Sequence, residues 1–182
     1  MSEILLSVQE LTKNYKTPSF WGGKPSENVL KNINLELHRG ECLGVLGKNG
    51  AGKSTLLKII DGAILHDSGE VILKGKVASI IELSSNVISN LSGLDNARMF
   101  FKLHGYRGAK LEERIQLALN YSELGDAEIR QVAHYSSGMR ARLAFSLAIH
   151  LDFDILLMDE VLAVGDFEFQ QKCLGTLNEI RK

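Results

Sequence analysis

The chain has 182 residues, of which 45% are hydrophobic and 24% are charged, with 21 Lys and Arg against 22 Asp and Glu. This composition is typical of a globular protein with one large domain, and it excludes a disordered, collagen-like or disulfide-dense chain. The net charge of -1 argues against a general nucleic-acid partner, because proteins that bind polyanions normally carry a basic excess.

The first part of the chain predicts an antiparallel sheet. Apolar and polar residues alternate over residues 33–38, which is the period of a half-buried strand, and residues 4–8 and 71–73 are its expected partners. Residues 16–27 contain both prolines and the only tryptophan, so they predict a surface loop. The apolar run at residues 42–46 predicts a strand that is buried on both faces.

The rest of the chain predicts an α/β core with a helical insertion. We expect a helix at residues 53–61, strands at 77–81 and 155–158, and a final helix from about Phe167. Apolar residues recur at helical spacing in two places between those strands: Leu111, Ile115, Ala118 and Leu119, and then Met139, Leu143, Leu147 and Ala148.

These elements predict a single domain with two parts. Residues 1–82 and 154–182 would form an α/β core with an antiparallel β subdomain. Residues 83–137 would form a helical subdomain, whose last helix runs to about residue 151.

The sequence predicts neither a metal site built on cysteine nor a membrane span. Cys42 and Cys173 lie far apart with no metal-ligand spacing, so we expect two buried thiols in a reducing compartment. The N-terminus is acidic where a secretory signal would be basic, and no apolar run approaches the 18 or so residues that a span requires.

Residues 47–54 read Gly-Lys-Asn-Gly-Ala-Gly-Lys-Ser and fit the phosphate-binding pattern G-x-x-x-x-G-K-[ST]. Glycines let backbone N–H groups turn toward phosphate oxygens, and the following helix adds the positive end of its dipole. Lys53 would neutralise charge on the β- and γ-phosphates, and Ser54 would offer its hydroxyl to Mg²⁺. The expected nucleotide-binding residues are Gly47, Lys48, Asn49, Gly50, Ala51, Gly52, Lys53, Ser54 and Thr55.

Two carboxylates, Asp159 and Glu160, follow the predicted strand at residues 155–158. By themselves they would more often be a solvated strand end. Acidic residues at the carboxyl end of such a strand emerge where open α/β sheets bind ligands. Together with the phosphate loop, they favour Asp159 as a Mg²⁺ ligand and Glu160 as the general base that polarises an attacking water.

The third motif, Tyr135-Ser136-Ser137-Gly138-Met139, precedes a predicted helix. Alone it would be an ordinary helix N-cap. With the order of the other motifs, the sequence resembles the nucleotide-binding subunits of ATP-binding cassette (ABC) transporters, whose signature reads Leu-Ser-Gly-Gly-Gln. The serine and the second glycine are kept, whereas Tyr135, Ser137 and Met139 depart from it.

This resemblance implies the ABC ATPase fold, that is, a P-loop NTPase core with an antiparallel β subdomain and an inserted helical subdomain. It also implies ATP hydrolysis with Mg²⁺ in a homodimer that holds ATP between its subunits. Ser136, Ser137 and Gly138 would contact the nucleotide held by the other subunit, and Asp166 would be the D-loop aspartate. An integral-membrane permease would be a separate partner.

The phrases YSSGMRARLAF and DEVLAVGDFEFQQKC are similar to the ATPase subunits of bacterial polysaccharide exporters, which handle O-antigen, capsule and teichoic acid chains. This implies a subunit that powers export of a lipid-linked polysaccharide from the cytoplasmic face of the inner membrane. Three alternatives are another ABC exporter, a soluble ABC protein acting on nucleic acid or ribosomes, and a P-loop kinase or GTPase. A soluble ABC protein would usually carry two cassettes, and a kinase or GTPase would leave the YSSGM motif unexplained.

The sequence departs from the family at three further points. It has no glutamine between Gln9 and Gln116, so Glu82 is the nearest Q-loop equivalent, or else a surface carboxylate. Tyr15 is the best match for the aromatic that stacks on adenine, although two aromatics of the 16–27 loop compete with it. Members of the family carry a switch histidine that senses the γ-phosphate, and none of the five histidines of this chain fits its position. We therefore expect an ABC fold truncated at its C-terminus, with weak or no ATP hydrolysis.

Overall fold

The computed structural model describes residues 3–15, 27–81, 87–159 and 166–180. The chain forms two compact units, the first reaching Val77 and the second running from Ala78 to Ile180. The predicted limits of the helical subdomain, residues 83–137, stay a prediction.

In its described residues, the first unit contains a three-stranded antiparallel sheet and one helix. Its strands are β1 (Ile4–Tyr15), β2 (Glu27–His38) and β3 (Ser68–Leu73), in the spatial order β2-β1-β3, and its helix is α1 (Lys53–Ile60). The predicted alternation in β2 is confirmed, since Asn34 and Glu36 are exposed whereas the apolar residues between and beside them are half-buried. The strands extend further than the period-2 pattern predicted.

The strand predicted at residues 42–46 is wrong. This segment has no regular secondary structure, and Leu46 is 96% exposed. A run of apolar residues forms a buried strand only when neighbouring strands pair with both of its edges. The three-stranded sheet of this unit includes no pairing to this segment, so its side chains face solvent.

The prediction of two buried thiols is correct for one cysteine only. Cys42 is exposed because it belongs to the unpaired segment 42–46. Cys173 is buried, and its burial raises the pKa of the thiol to about 11, so it stays protonated at neutral pH.

The second unit is mainly helical. Its elements are β4 (Val77–Ile80), α2 (Gly93–Leu103), α3 (Gly108–Ser122), α4 (Ser137–Ile149), β5 (Ile155–Met158) and α5 (Phe167–Ile180), with short 3₁₀ turns at Gly125–Ile129 and Val132–His134. Strand β4 pairs with β5. Both predicted helical stripes and the strand at residues 155–158 are confirmed.

Helix α4 lies at the centre of this unit because it is apolar on two sides. Leu143 and Leu147, which are fully buried, join the cluster formed with α2 and α3. Phe145 and Ile149 join a second cluster that includes Ile80 of β4 and residues of α5. Burial on both sides fixes the axis of α4 and therefore the position of its N-terminus. Within the described ranges, no helix is both long enough and apolar enough to cross a membrane.

Candidate functional site

Gly52 begins helix α1 in a conformation that other residues rarely adopt. Its φ is 90°, in the left-handed region. A Cβ at this position would lie 2.7 Å from the Val29 carbonyl oxygen and 2.8 Å from Cδ2 of Leu30, both in β2. A side chain is therefore opposed by the backbone conformation and by the sheet. Glycine lets α1 start directly against β2.

Lys53 closes the phosphate loop on itself. Its Nζ donates to the carbonyl oxygens of Gly47 at 3.0 Å and Lys48 at 3.1 Å, and Ala51 N donates to the same Lys48 carbonyl at 3.1 Å. Helix α1 has no side-chain cap and no acidic residue in its first turn. Its N-terminal N–H groups and dipole, with the Lys53 ammonium, form an arrangement suited to an anion such as phosphate.

Ser54 and Asp159 are the two residues predicted to hold Mg²⁺. Ser54 is exposed in the first turn of α1, and the half-buried Asp159 directly follows β5. Both carry oxygen atoms, the ligand type that Mg²⁺ prefers. No cluster of three or more metal-ligating side chains occurs in the described part of the chain.

Tyr15 lies at the end of β1 and is 41% exposed, so part of its ring is accessible to solvent. Lys13 Nζ lies 5.5 Å from the centroid of this ring. An accessible ring beside a cation has the chemistry to stack on a nucleobase. Its assignment to adenine stays a prediction. The other candidates, Phe20 and Trp21, lie outside the described residues, as do Glu82 and Glu160.

The signature residues surround the N-terminus of α4. Ser136 is the N-cap, and its Oγ accepts a hydrogen bond from Met139 N at 3.2 Å. Ser136 and Ser137 are exposed, and Gly138 is half-buried. Two accessible hydroxyls at the positive end of a 13-residue helix also suit an anionic ligand.

Asp166 is linked to helix α4 by an ion pair with Arg142. Its carboxylate also accepts a hydrogen bond from Phe169 N at 3.0 Å in the first turn of α5. That backbone hydrogen bond and the Arg142 guanidinium lower the pKa of Asp166, so the carboxylate is ionised at neutral pH. The second unit thus brings the predicted D-loop residue and the helix that carries the signature together.

Sequence reasoning missed the residues that support the signature. Tyr135 was noted only as a departure from the family spelling, and Asn96 was not singled out. One local signal was present, since Ser92 is the N-cap of α2 and its Oγ accepts from Asp95 N at 3.0 Å. This pattern could have located the start of α2, but not its contacts with residues far away in the sequence.

Comparison with known proteins gives consistent matches. The profile of the ABC transporter family matches residues 30–163. The chain is 38% identical over 178 residues to the polysialic acid transport ATP-binding protein KpsT of Escherichia coli, covering 98% of this chain and 78% of that protein. It is 34% identical to the teichoic acids export ATP-binding protein TagH of Listeria monocytogenes, covering 94% of this chain and 49% of that protein.

Solved structures share the fold. The ATP-binding cassette MJ0796, solved as a dimer in a post-hydrolysis state with ADP and Pi, superposes with a TM-score of 0.83 at 24% identity. The match covers 98% of this chain and 83% of that one. The predicted ABC ATPase fold is confirmed. The chain spans between about half and four-fifths of the length of the relatives named here.

Proposed function

We propose a function from one established premise: the chain belongs to the ABC transporter family, whose profile covers most of its length. We infer that it is the ATP-binding and ATP-hydrolysing subunit of a polysaccharide exporter, and that a separate membrane permease forms the pathway. The observation that carries the proposal is the phosphate loop, in which Gly52 starts α1 against β2 and Lys53 lies across the loop. This arrangement suits the β- and γ-phosphates of ATP.

Each nucleotide would be held by two subunits. The loop at residues 47–55 of one subunit binds the phosphates, and Ser136, Ser137 and Gly138 of the other complete the cage around the γ-phosphate. Asp166 would be the D-loop aspartate that contacts the opposite subunit. The dimeric state of the structural neighbour supports this arrangement.

Hydrolysis would need a base and a metal ion. Glu160 is proposed as the general base that polarises the attacking water. Ser54 and Asp159 would hold Mg²⁺, which neutralises phosphate charge when bound. ATP binding would bring two subunits together, and hydrolysis would let them separate, so that the cycle drives motion in the permease.

The substrate class rests on the relatives. KpsT and TagH are named for the transport of polysialic acid and of teichoic acids. We therefore propose a lipid-linked polysaccharide as the exported molecule. The proposed location is the cytoplasmic face of the bacterial inner membrane, where the subunit binds its permease.

ATP binding tests the first part of the proposal. Titration calorimetry of the chain with Mg-ATP is expected to show binding, and Lys53→Ala is expected to weaken it by about tenfold to a hundredfold, since one charge-assisted contact is lost. Lys58→Ala in the last turn of the same helix is the matched control and should bind as the unmodified chain does. Equal affinity for all three proteins would contradict the assignment of the loop.

Export tests the second part. In the bacterium that carries the gene, Lys53→Ala is expected to stop display of the surface polysaccharide while its lipid-linked precursor accumulates inside the cell. The Lys58→Ala gene should restore display. A Lys53→Ala strain with normal surface polysaccharide would contradict this substrate class. The assignment of the phosphate loop would not be affected, because the titration tests it separately.

A further inference from the structure

The segment that precedes the signature is hydrogen-bonded to a segment some 40 residues earlier in the chain. Val132 N donates to the Leu91 carbonyl at 2.9 Å, and Ala133 N donates to the Ser89 carbonyl at 2.8 Å. Ser92 also forms an isolated antiparallel bridge with Gln131. Residues 88–92 and 131–133 therefore form one small paired structure, which we call the latch.

The Asn96 side chain is hydrogen-bonded to the backbone of the first segment of the latch, residues 88–92. Asn96 is 1% exposed and comes from the first turn of α2. Its Oδ1 accepts from Ile88 N at 2.7 Å, and its Nδ2 donates to the carbonyls of Ile88 at 3.0 Å and Ser92 at 2.9 Å. A buried amide with both ends satisfied fixes the path of the backbone that it contacts.

Tyr135 joins the latch to the signature. Its side chain is buried, and its hydroxyl donates to the Ala127 carbonyl at 2.6 Å. The same hydroxyl packs so closely on Gly93 that a Cβ there would lie 2.5 Å from it. The next residue along the chain is Ser136, the N-cap of α4. The direction in which Ser136 leaves the core is therefore set by the Tyr135 contact.

Arg140 adds a further link from the helix side. Its Nη2 donates to the Ala133 carbonyl at 3.2 Å, so the first turn of α4 is bonded to the second segment of the latch, residues 131–133. The exposed Ser136 and Ser137 thus lie between two anchored points, Tyr135 before them and Arg140 after them.

We propose that Tyr135 and Asn96 are positioning residues that place Ser136 for the nucleotide of the opposite subunit. The proposal rests on the function proposed above. It gives the tyrosine at the first signature position a role of its own, because leucine has no hydroxyl to reach the Ala127 carbonyl.

The test uses dimers in which only one nucleotide site can work. A Lys53→Ala subunit supplies its signature but no working phosphate loop, so its dimer with an unmodified subunit has one functional site. Adding Tyr135→Phe to the Lys53→Ala subunit places the change opposite the working loop. Adding Tyr135→Phe to the other subunit places it at the inactive site, which is the matched control with the same set of substitutions.

ATP-dependent association of two differently labelled subunits is measured by energy transfer between the labels. The apparent ATP affinity of association is expected to fall about fivefold when Tyr135→Phe lies opposite the working loop, because one buried hydrogen bond is lost. It is expected to stay unchanged in the control. Asn96→Ala should show the same asymmetry. Equal values for the two arrangements, whether both lowered or both unchanged, would overturn the proposal.

A failure of the proposed function would give a different experimental result. If the Lys53→Ala subunit and the unmodified subunit do not associate with ATP at all, the dimeric ATPase is wrong. The contact between Tyr135 and Gly93 can still be tested by urea unfolding of single subunits. If that test shows no contact, the inference is overturned independently of the proposed function.

That measurement uses two glycines. Gly93→Ala is expected to lower the urea midpoint because the new Cβ meets the Tyr135 hydroxyl, whereas Gly175→Ala in α5, which has open space around it, should not. Combining Gly93→Ala with Tyr135→Phe removes that hydroxyl and should recover part of the loss, since the Cβ would still lie 3.1 Å from the Glu128 carbonyl oxygen. A double variant that is no better than Gly93→Ala alone would contradict the contact.

Discussion

The phosphate loop at residues 47–54 and the signature at residues 136–138 both stand before the first turn of a helix, yet they are held in different ways. All of residues 41–50 are exposed, and the loop keeps its shape through glycine conformations and the bonds of Lys53 to its own carbonyls. The signature is exposed only at its tip. Tyr135 beneath it is buried, and α4 behind it is enclosed on two sides.

This difference explains why one motif matches its family spelling and the other does not. A loop that is shaped mainly by its own backbone depends on local residues, so the positive φ of Gly52 and the bonds of Lys53 to the loop carbonyls leave little freedom. A loop shaped by a core depends on distant partners, so a change such as leucine to Tyr135 is accommodated when a glycine stands opposite it at position 93.

The largest expected effect compares the same substitution in the two regions. Leu147→Ala removes a fully buried side chain from α4 and should lower the free energy of unfolding by about 3 to 5 kcal/mol. Leu46→Ala, next to the phosphate loop at 96% exposure, should change it by less than about 0.5 kcal/mol. Urea unfolding measures both values. Similar losses at the two positions would remove the contrast between the regions.

The next effect separates backbone conformation from packing within the phosphate loop. Gly50 and Gly52 both have positive φ, of 82° and 90°, but only Gly52 has neighbours that a Cβ would meet. Gly50→Ala should cost about 1 to 2 kcal/mol for conformation alone. Gly52→Ala should cost about 2 to 4 kcal/mol, because overpacking against β2 is added.

Unfolding in urea and Mg-ATP titration are measured on the same two variants. We expect Gly52→Ala to lose nucleotide affinity as well as stability, since α1 can no longer start in place. Equal costs for both variants would mean that the loop is set by conformation only, without help from β2.

The sequence predicted the elements whose pattern is local. The start of α1 at Lys53, the strand Ile155–Met158 and the start of α5 at Phe167 follow from periodicity and from the residues that bound each run. The segment 42–46 could not be predicted in this way. Its apolar composition is that of a buried strand, but a strand also requires partners, and these depend on the rest of the fold.

In the candidate site, too, the features set by local sequence were predicted and those set by distant contacts were not. The phosphate loop was predicted from eight consecutive residues because glycines and a lysine at that spacing have few other uses. The support of the signature was not predicted. Asn96 and Tyr135 contact segments that periodicity cannot pair, and the ion pair of Arg142 with Asp166 joins residues that no local pattern connects.

The smallest expected effect tests whether surface ion pairs also stabilise the position of helix α4. Glu123, at the end of α3, accepts from Lys172 of α5 at 2.5 Å and pairs with Arg142 of α4 at 3.3 Å. The hydrogen bond from Lys172 is the main cause that lowers the pKa of Glu123, with both cations contributing. A carboxyl with a lowered pKa in the folded state stabilises the fold above its ordinary pKa of about 4.3. That contribution is lost as the pH falls through the lowered value.

Glu123→Gln should therefore lower the free energy of unfolding at neutral pH by only about 0.3 to 1 kcal/mol, because the pair is mostly exposed and screened by solvent. The gap between the unmodified chain and the variant should close as urea unfolding is repeated from about pH 7 down to about pH 3. Glu112→Gln, an exposed glutamate of the same helix, is the matched control. A gap that exceeds the loss from Leu147→Ala, or that persists in acid, would mean that charges and not the enclosed core fix the signature helix.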